Sequence, residues 1–263
     1  MDIGQMIKHL GFSLLFLLTT MAQAETPKER LFILAGQSNM MGRGRTAELP
    51  EHLKQQPENI SFYTHGRQSV IAKYNMFGPE VQFAHAMSKA YPNDKIIIIK
   101  TAASGSAIAE WMPDTPLYKG LLRQVGFVTD PATTNLEAIV WMQGETDARN
   151  AEAAQQYADN LKVFINSLRK DLKAESVPFI IGRITEHGIN FPMEKVVRAA
   201  QNAVGKDDPN IIVVPTDGIS KIYDKVHFDA KGQVELGKRF AVEFLKRRKE
   251  QLIELADSKN KTN

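Results

Sequence analysis

Six short β-rich runs punctuate the chain: RLFILAG (30–36), ISFYT (60–64), KIIIIKTA (95–102), LEAIVWMQG (136–144), PFIIGRI (178–184) and NIIVVPT (210–216). Four of them are almost unbroken apolar stretches. A strand with one wet face alternates apolar and polar residues; a strand apolar at every position is buried on both faces, as in a parallel sheet covered by helices. Amphipathic stretches lie between the runs, near 80–90, 116–127, 150–172, 192–204 and 230–256. In the third of these, Ala154, Tyr157, Leu161, Phe164, Ile165 and Leu168 recur at helical spacing. Strand–helix alternation predicts an α/β fold, a three-layer α/β/α sandwich on a mainly parallel sheet. No internal repeat or linker divides 25–263, so it reads as one domain, with residues after Asp257 expected to be unstructured.

The first 24 residues stand apart. Lys8 and His9 precede the apolar run LGFSLLFLLTTM, and Ala22, Gln23 and Ala24 fit the small-x-small cleavage rule. The run is about 12 residues, short for a membrane span, so the segment reads as a signal peptide rather than an anchor. The mature chain would begin near Glu25 and be periplasmic or secreted, with no membrane association after cleavage. The chain has no cysteine, which excludes disulfides, a thiol nucleophile and cysteine-ligated metal. A net charge of +3, with KRRKE confined to a helical pattern, gives no nucleic-acid footprint.

Open parallel sheets bind ligands outside the carboxyl ends of their strands. Each polar cluster of note falls there: GQSNMMGRG after the first run, TAASGSAIAEW around the end of the third, MQGETD after the fourth, and PTDG then YDKVHF after the last. Ser38 sits in the first. A serine hydroxyl needs a histidine base, itself oriented by a carboxylate, to act as a nucleophile. Of six histidines, His9 lies in the leader, His52 and His65 in loops and His85 in a helix. His187 follows a strand, and His227 has Asp224 three residues before it. That spacing brings a carboxylate beside Nδ1 and leaves Nε2 free. Oxyanion donors are available from the Ser38 amide, from Gly105 and from the side-chain amide of Gln143. The elbow Gly-x-Ser-x-Gly fails at Met40. No zinc spacing, P-loop or dinucleotide fingerprint is present.

Together these blocks resemble the SGNH hydrolase superfamily, in the branch of carbohydrate esterase family six and the sialate O-acetylesterase-like domain. The segments ILAGQSNMMGRG, GPE (78–80), ASGSAIAEW, WMQGETD and DKVHFDAKGQVELGKRF follow the order of that family's blocks over 31–240. The resemblance implies a cofactor-independent α/β/α esterase that removes acetyl groups from sugars. It places Ser38 as nucleophile, His227 as base and Asp224 as its orienting acid. Ser38 and Gly105 serve the oxyanion, with Gln143 in place of the asparagine of the wider superfamily. Thr146 stands where that asparagine would be.

Glu145 is open to two roles, a second carboxylate near His227 or a buried brace for the Ser38 loop, and Asp147 to the same two. Gln37 and Asn39 would shape the turn, with Asn39 also able to cap the helix after it. Arg43, Arg45, His65, Arg67 and Trp111 are candidate substrate contacts, Trp111 reading equally as a core residue. An arginine would serve an anionic sugar. The expected partner is an acetylated carbohydrate such as acetylxylan, with a sialate O-acetyl ester as the alternative. A lipase or thioesterase of the same superfamily, or an inert carbohydrate-binding relative, are the competing readings.

Overall fold

The computed structural model describes residues 26–130, 133–186 and 188–261; the segment expected to be a signal peptide and His187 lie outside them. In chain order the elements are β1 (Glu29–Gly36), α1 (Ser38–Met41), β2 (Gly44–Arg45), α2 (Glu51–Lys54), β3 (Ile60–Thr64), β4 (Arg67–Ser69), β5 (Met76–Phe77), α3 (Glu80–Ala90) and β6 (Lys95–Ala102). Then come α4 (Pro116–Val128), β7 (Asn135–Met142), α5 (Ala151–Asp171), β8 (Phe179–Arg183), α6 (Glu194–Asp207), β9 (Ile211–Pro215) and α7 (Ala230–Lys261). The residues after Asp257, expected to be unstructured, continue α7 as far as Lys261.

Seven strands form one sheet in the order β4-β3-β6-β1-β7-β8-β9. Every neighbouring pair is parallel except β3 and β4, which are antiparallel. All six runs read from the sequence are in this sheet. The additions, β4 and the β2–β5 pair, are two or three residues long, too short to carry a periodic signal.

Both faces are covered, as the unbroken apolar strands require. On one face Phe32 of β1 meets Phe83 of α3 and Phe244 of α7, each edge-on with ring centres 5.3 and 5.1 Å apart. On the other, Trp141 of β7 and Phe179 of β8 pack on Phe164 of α5 at 4.6 and 6.1 Å. Helix α5 starts where the Asn150 side chain accepts the Ala153 N–H at 3.0 Å. Its residues Ala154, Tyr157, Leu161, Phe164, Ile165 and Leu168 are all buried. Each large apolar side chain so buried contributes about 1.5–3 kcal/mol. This supports the chain without disulfides.

The chain passes from β6 on one side of β1 to β7 on the other, which makes β1 the point where the winding reverses. Gly36 is in register with Ala102 of β6 and with Met142 of β7. The three strands therefore end level, and the segments after them emerge side by side. Gly36 permits this closeness: its φ is 148°, and a Cβ there would stand 2.0 Å from the Met142 carbonyl oxygen.

Candidate active site

Ser38 opens α1 directly after β1, with 3% of its surface exposed. Its neighbour Gln37 fastens the turn to the end of β7. The Gln37 N–H donates to the Met142 carbonyl at 2.9 Å, and its Oε1 accepts from the Gly144 and Thr146 amides at 3.4 Å each.

His227 comes from the loop between β9 and α7. Asp224 shapes that loop: its Oδ1 accepts the Val226 and His227 amides at 2.8 and 2.9 Å, a turn closed by an aspartate side chain. The other oxygen, Oδ2, is thereby set 2.6 Å from His227 Nδ1. With Nδ1–H donated to Asp224, Nε2 carries the lone pair and accepts the Ser38 hydroxyl at 2.9 Å. Partial burial pushes the Asp224 carboxyl up, but the bonds from the His227 ring and from the two amides outweigh it. The group is held below its ordinary value and stays ionised at neutral pH.

Asn39 does not cap the helix. It is fully buried inside α1. Its Nδ2 donates to Glu145 Oε1 at 2.6 Å and to the Val226 carbonyl at 3.2 Å, and its Oδ1 accepts the Phe228 amide at 3.1 Å. The backbone is thus gripped on both sides of His227. Glu145 braces this clamp and makes no hydrogen bond to His227 among the described residues. Burial pushes its carboxyl up, against the pull of the Asn39 bond and the His227 charge.

The oxyanion assignment of Gln143 changes as well, and the open choice for Trp111 closes. Gln143 is fully buried and gives one amide hydrogen to the Ser106 carbonyl at 3.0 Å and the other to Asp147 Oδ2 at 2.5 Å. A primary amide has two N–H bonds, so none is left for an oxyanion. Its work is to tie the end of β7 to the loop after β6. Asp147 completes that tie by accepting the Ile108 amide at 3.1 Å, and burial raises its carboxyl to about 6. Trp111 is a core residue rather than a sugar platform. It is 1% exposed, edge-on to Trp141 at 5.2 Å, with Nε1–H donated to Ser106 Oγ at 2.8 Å.

Gly105 sits on the same tied loop, exposed, with φ of 76° and open space where a Cβ would be. Neither its amide nor that of Ser38 makes a hydrogen bond among the described residues. Arg43 is half-buried and lines a cleft of about 570 Å³ with Arg45, Met76, Tyr223, Asp224 and His227. Among the described residues its Nε has no hydrogen-bond partner, and its one side-chain bond, from Nη2 to Ser104 Oγ, is long at 3.4 Å. His65 lies on a second cavity beside this cleft, and Arg67 is exposed on the edge strand β4. No cluster of three His, Asp or Glu suited to a metal occurs among the described residues.

A level sheet edge with a serine, a histidine and an aspartate in hydrogen-bonded line has the architecture of an SGNH-like carbohydrate esterase, a class of carboxylic ester hydrolases. Residues 28–246 match the family described as carbohydrate esterase, sialic acid-specific acetylesterase, and the chain belongs to it. It is 27% identical over 254 residues to the probable carbohydrate esterase At4g34215 of Arabidopsis thaliana, covering 85% of this chain and 93% of that one. The crystal structure of that Arabidopsis protein superposes with a TM-score of 0.74 at 26% identity, over 84% of this chain and 99% of the other. NanS, at 19% identity and TM-score 0.71, covers 86% and 99%, and shares the fold. So does XAC1771, a carbohydrate acetylesterase from Xanthomonas citri, at 17% identity and TM-score 0.61 over 80% and 55%. No helix among the described residues is long and apolar enough to cross a membrane.

Proposed function

We propose that the protein is a serine esterase that removes O-acetyl groups from carbohydrate through an acetyl-enzyme. The observation that carries this is the line Ser38 Oγ–His227 Nε2–Asp224, closed at 2.9 and 2.6 Å. Ser38 Oγ attacks the acetyl carbonyl while His227 takes its proton, and Asp224 stabilises the imidazolium. The tetrahedral oxygen lies against the free amides of Ser38 and Gly105. His227 then gives the proton to the sugar oxygen, which leaves. Water, deprotonated by the same imidazole, attacks the acetyl-Ser38 carbonyl, and acetate departs with the serine hydroxyl restored.

Within acetylated sugars, Arg43 favours a substrate that also bears a carboxylate. A half-buried guanidinium without a carboxylate partner among the described residues is suited to a planar acid group. O-acetylated sialic acid and a glucuronic-acid-substituted acetylxylan both carry one. The N-terminal segment supports a site of action outside the cytoplasm, and the mass of the mature chain would show whether it starts near Glu25.

The test is acetate release from acetylated xylan and from O-acetylated sialic acid by wild type and Ser38→Ala. The substitution should lower kcat by on the order of 10⁴-fold with an unchanged melting temperature. A fluorophosphonate should label Ser38, which an inert binding protein would not allow. Full activity in Ser38→Ala would refute the scheme.

A further inference from the structure

A second cavity, of about 210 Å³, lies at the carboxyl ends of β3 and β6, and Met41, Phe62, Tyr74, Glu80 and Lys100 line it. It opens beside the catalytic cleft, since Arg43 and Met76 line both. The exposed apolar side chains Val70, Tyr74 and Met76 gather on its rim, with Tyr74 66% exposed.

Its floor is charged. Lys100 is a lone cation inside the apolar run of β6, and its Nζ lies 2.8 Å from Glu80 Oε2 and 3.0 Å from the Met41 carbonyl. The Glu80 side chain is 4% exposed. Its Oε1 accepts the Gly78 amide at 3.1 Å, while Oε2 has the ion pair but no aligned hydrogen bond. The ammonium has three hydrogens and two such neighbours, Glu80 Oε2 and the Met41 carbonyl, so one N–H is left for a ligand in the cavity. An acyl chain laid on this floor would strip water from the ion pair and return no hydrogen bond. A sugar ring satisfies both demands. A hydroxyl oxygen accepts the remaining Lys100 N–H, whose ammonium Glu80 holds in place, and the C–H face of the ring lies against Phe62 and Tyr74.

We propose that this cavity is a subsite for the sugar residue next to the acetylated one, so that the substrate is an oligosaccharide rather than a single sugar. This rests on the esterase reading above. The experiment compares kcat/KM for acetylated xylobiose and acetylated xylose, with p-nitrophenyl acetate alongside, in wild type, Tyr74→Ala and Glu80→Gln. Wild type should prefer the disaccharide by about tenfold, and either variant should bring that ratio near unity. Tyr74 is largely exposed and its loss does not threaten the fold, and a ratio cancels any loss of folded enzyme. A wild-type ratio near unity, or a preference unchanged in both variants, overturns the subsite and leaves the esterase standing. Failure of wild type to hydrolyse either xylose ester overturns the subsite, and failure on p-nitrophenyl acetate and O-acetylated sialic acid as well overturns the esterase reading with it.

Discussion

Asp224 and Glu145 are both acidic residues close to the His227 loop, and they live in opposite surroundings. Asp224 is partly exposed, touches the imidazole, and is held below its ordinary pKa by three N–H bonds. Glu145 is buried and pushed up; among the described residues it reaches the loop through Asn39 alone and keeps one oxygen without a partner. An ionised carboxylate on the ring can steady an imidazolium as it forms. A carboxyl whose charge is opposed by burial is better suited to holding another side chain in place. The contrast separates the acid that takes part in the chemistry from the one that positions it.

Asp224→Asn tests the first half of that contrast and should have the largest effect. The Asn oxygen can still accept the two loop amides, so the turn survives, but its NH₂ faces Nδ1 and disfavours the tautomer that leaves Nε2 free. A fall in kcat/KM on the order of 10³–10⁴ is expected, with little change in melting temperature. A fall below tenfold would move the acid role elsewhere. Asn39→Ala comes next. It unties the Val226 carbonyl and the Phe228 amide, with a stability loss of about 1–3 kcal/mol. The displaced imidazole should lower kcat by about 10–100-fold while KM holds. If KM rises and kcat does not change, the clamp serves binding instead.

How much of this was legible in the sequence follows from how local each signal is. The strands show because burial on both faces leaves no polar position in them, as in Leu31–Ala35, all fully buried. Asp224 and His227 show because one short turn holds both, and Ser38 because it follows a strand directly. Gln143 could be read as a donor, but not who takes its hydrogens: Asp147 is near in sequence and Ser106 is not. Trp111 is similar, since its ring could stack on a sugar until its N–H is found on Ser106 and the ring edge-on to Trp141 in the core. Lys100 is a charge inside an apolar strand, and no local pattern marks it. Its partner Glu80 begins a different element, α3, and only the folded chain joins them.

Glu145→Gln gives the smallest expected effect and the sharpest test of the contrast. Gln keeps an oxygen for the Asn39 NH₂, so the clamp persists and activity should fall far less than in Asp224→Asn. The informative readout is the difference in melting temperature between variant and wild type as a function of pH. A carboxyl raised by burial contributes stability that is fully present below its unfolded pKa and is lost as pH rises through the higher folded one. Gln has no such titration. Wild type should therefore lose ground to Glu145→Gln as pH rises from the ordinary carboxylate range upward. For Asp224 the sign reverses, because a depressed carboxyl contributes stability above its unfolded pKa and loses it as pH falls through the folded one. Wild type should lose ground to Asp224→Asn in acid. If Glu145→Gln instead follows the Asp224 pattern, the Glu145 charge is favourable in the fold, and the line drawn between the two carboxylates falls.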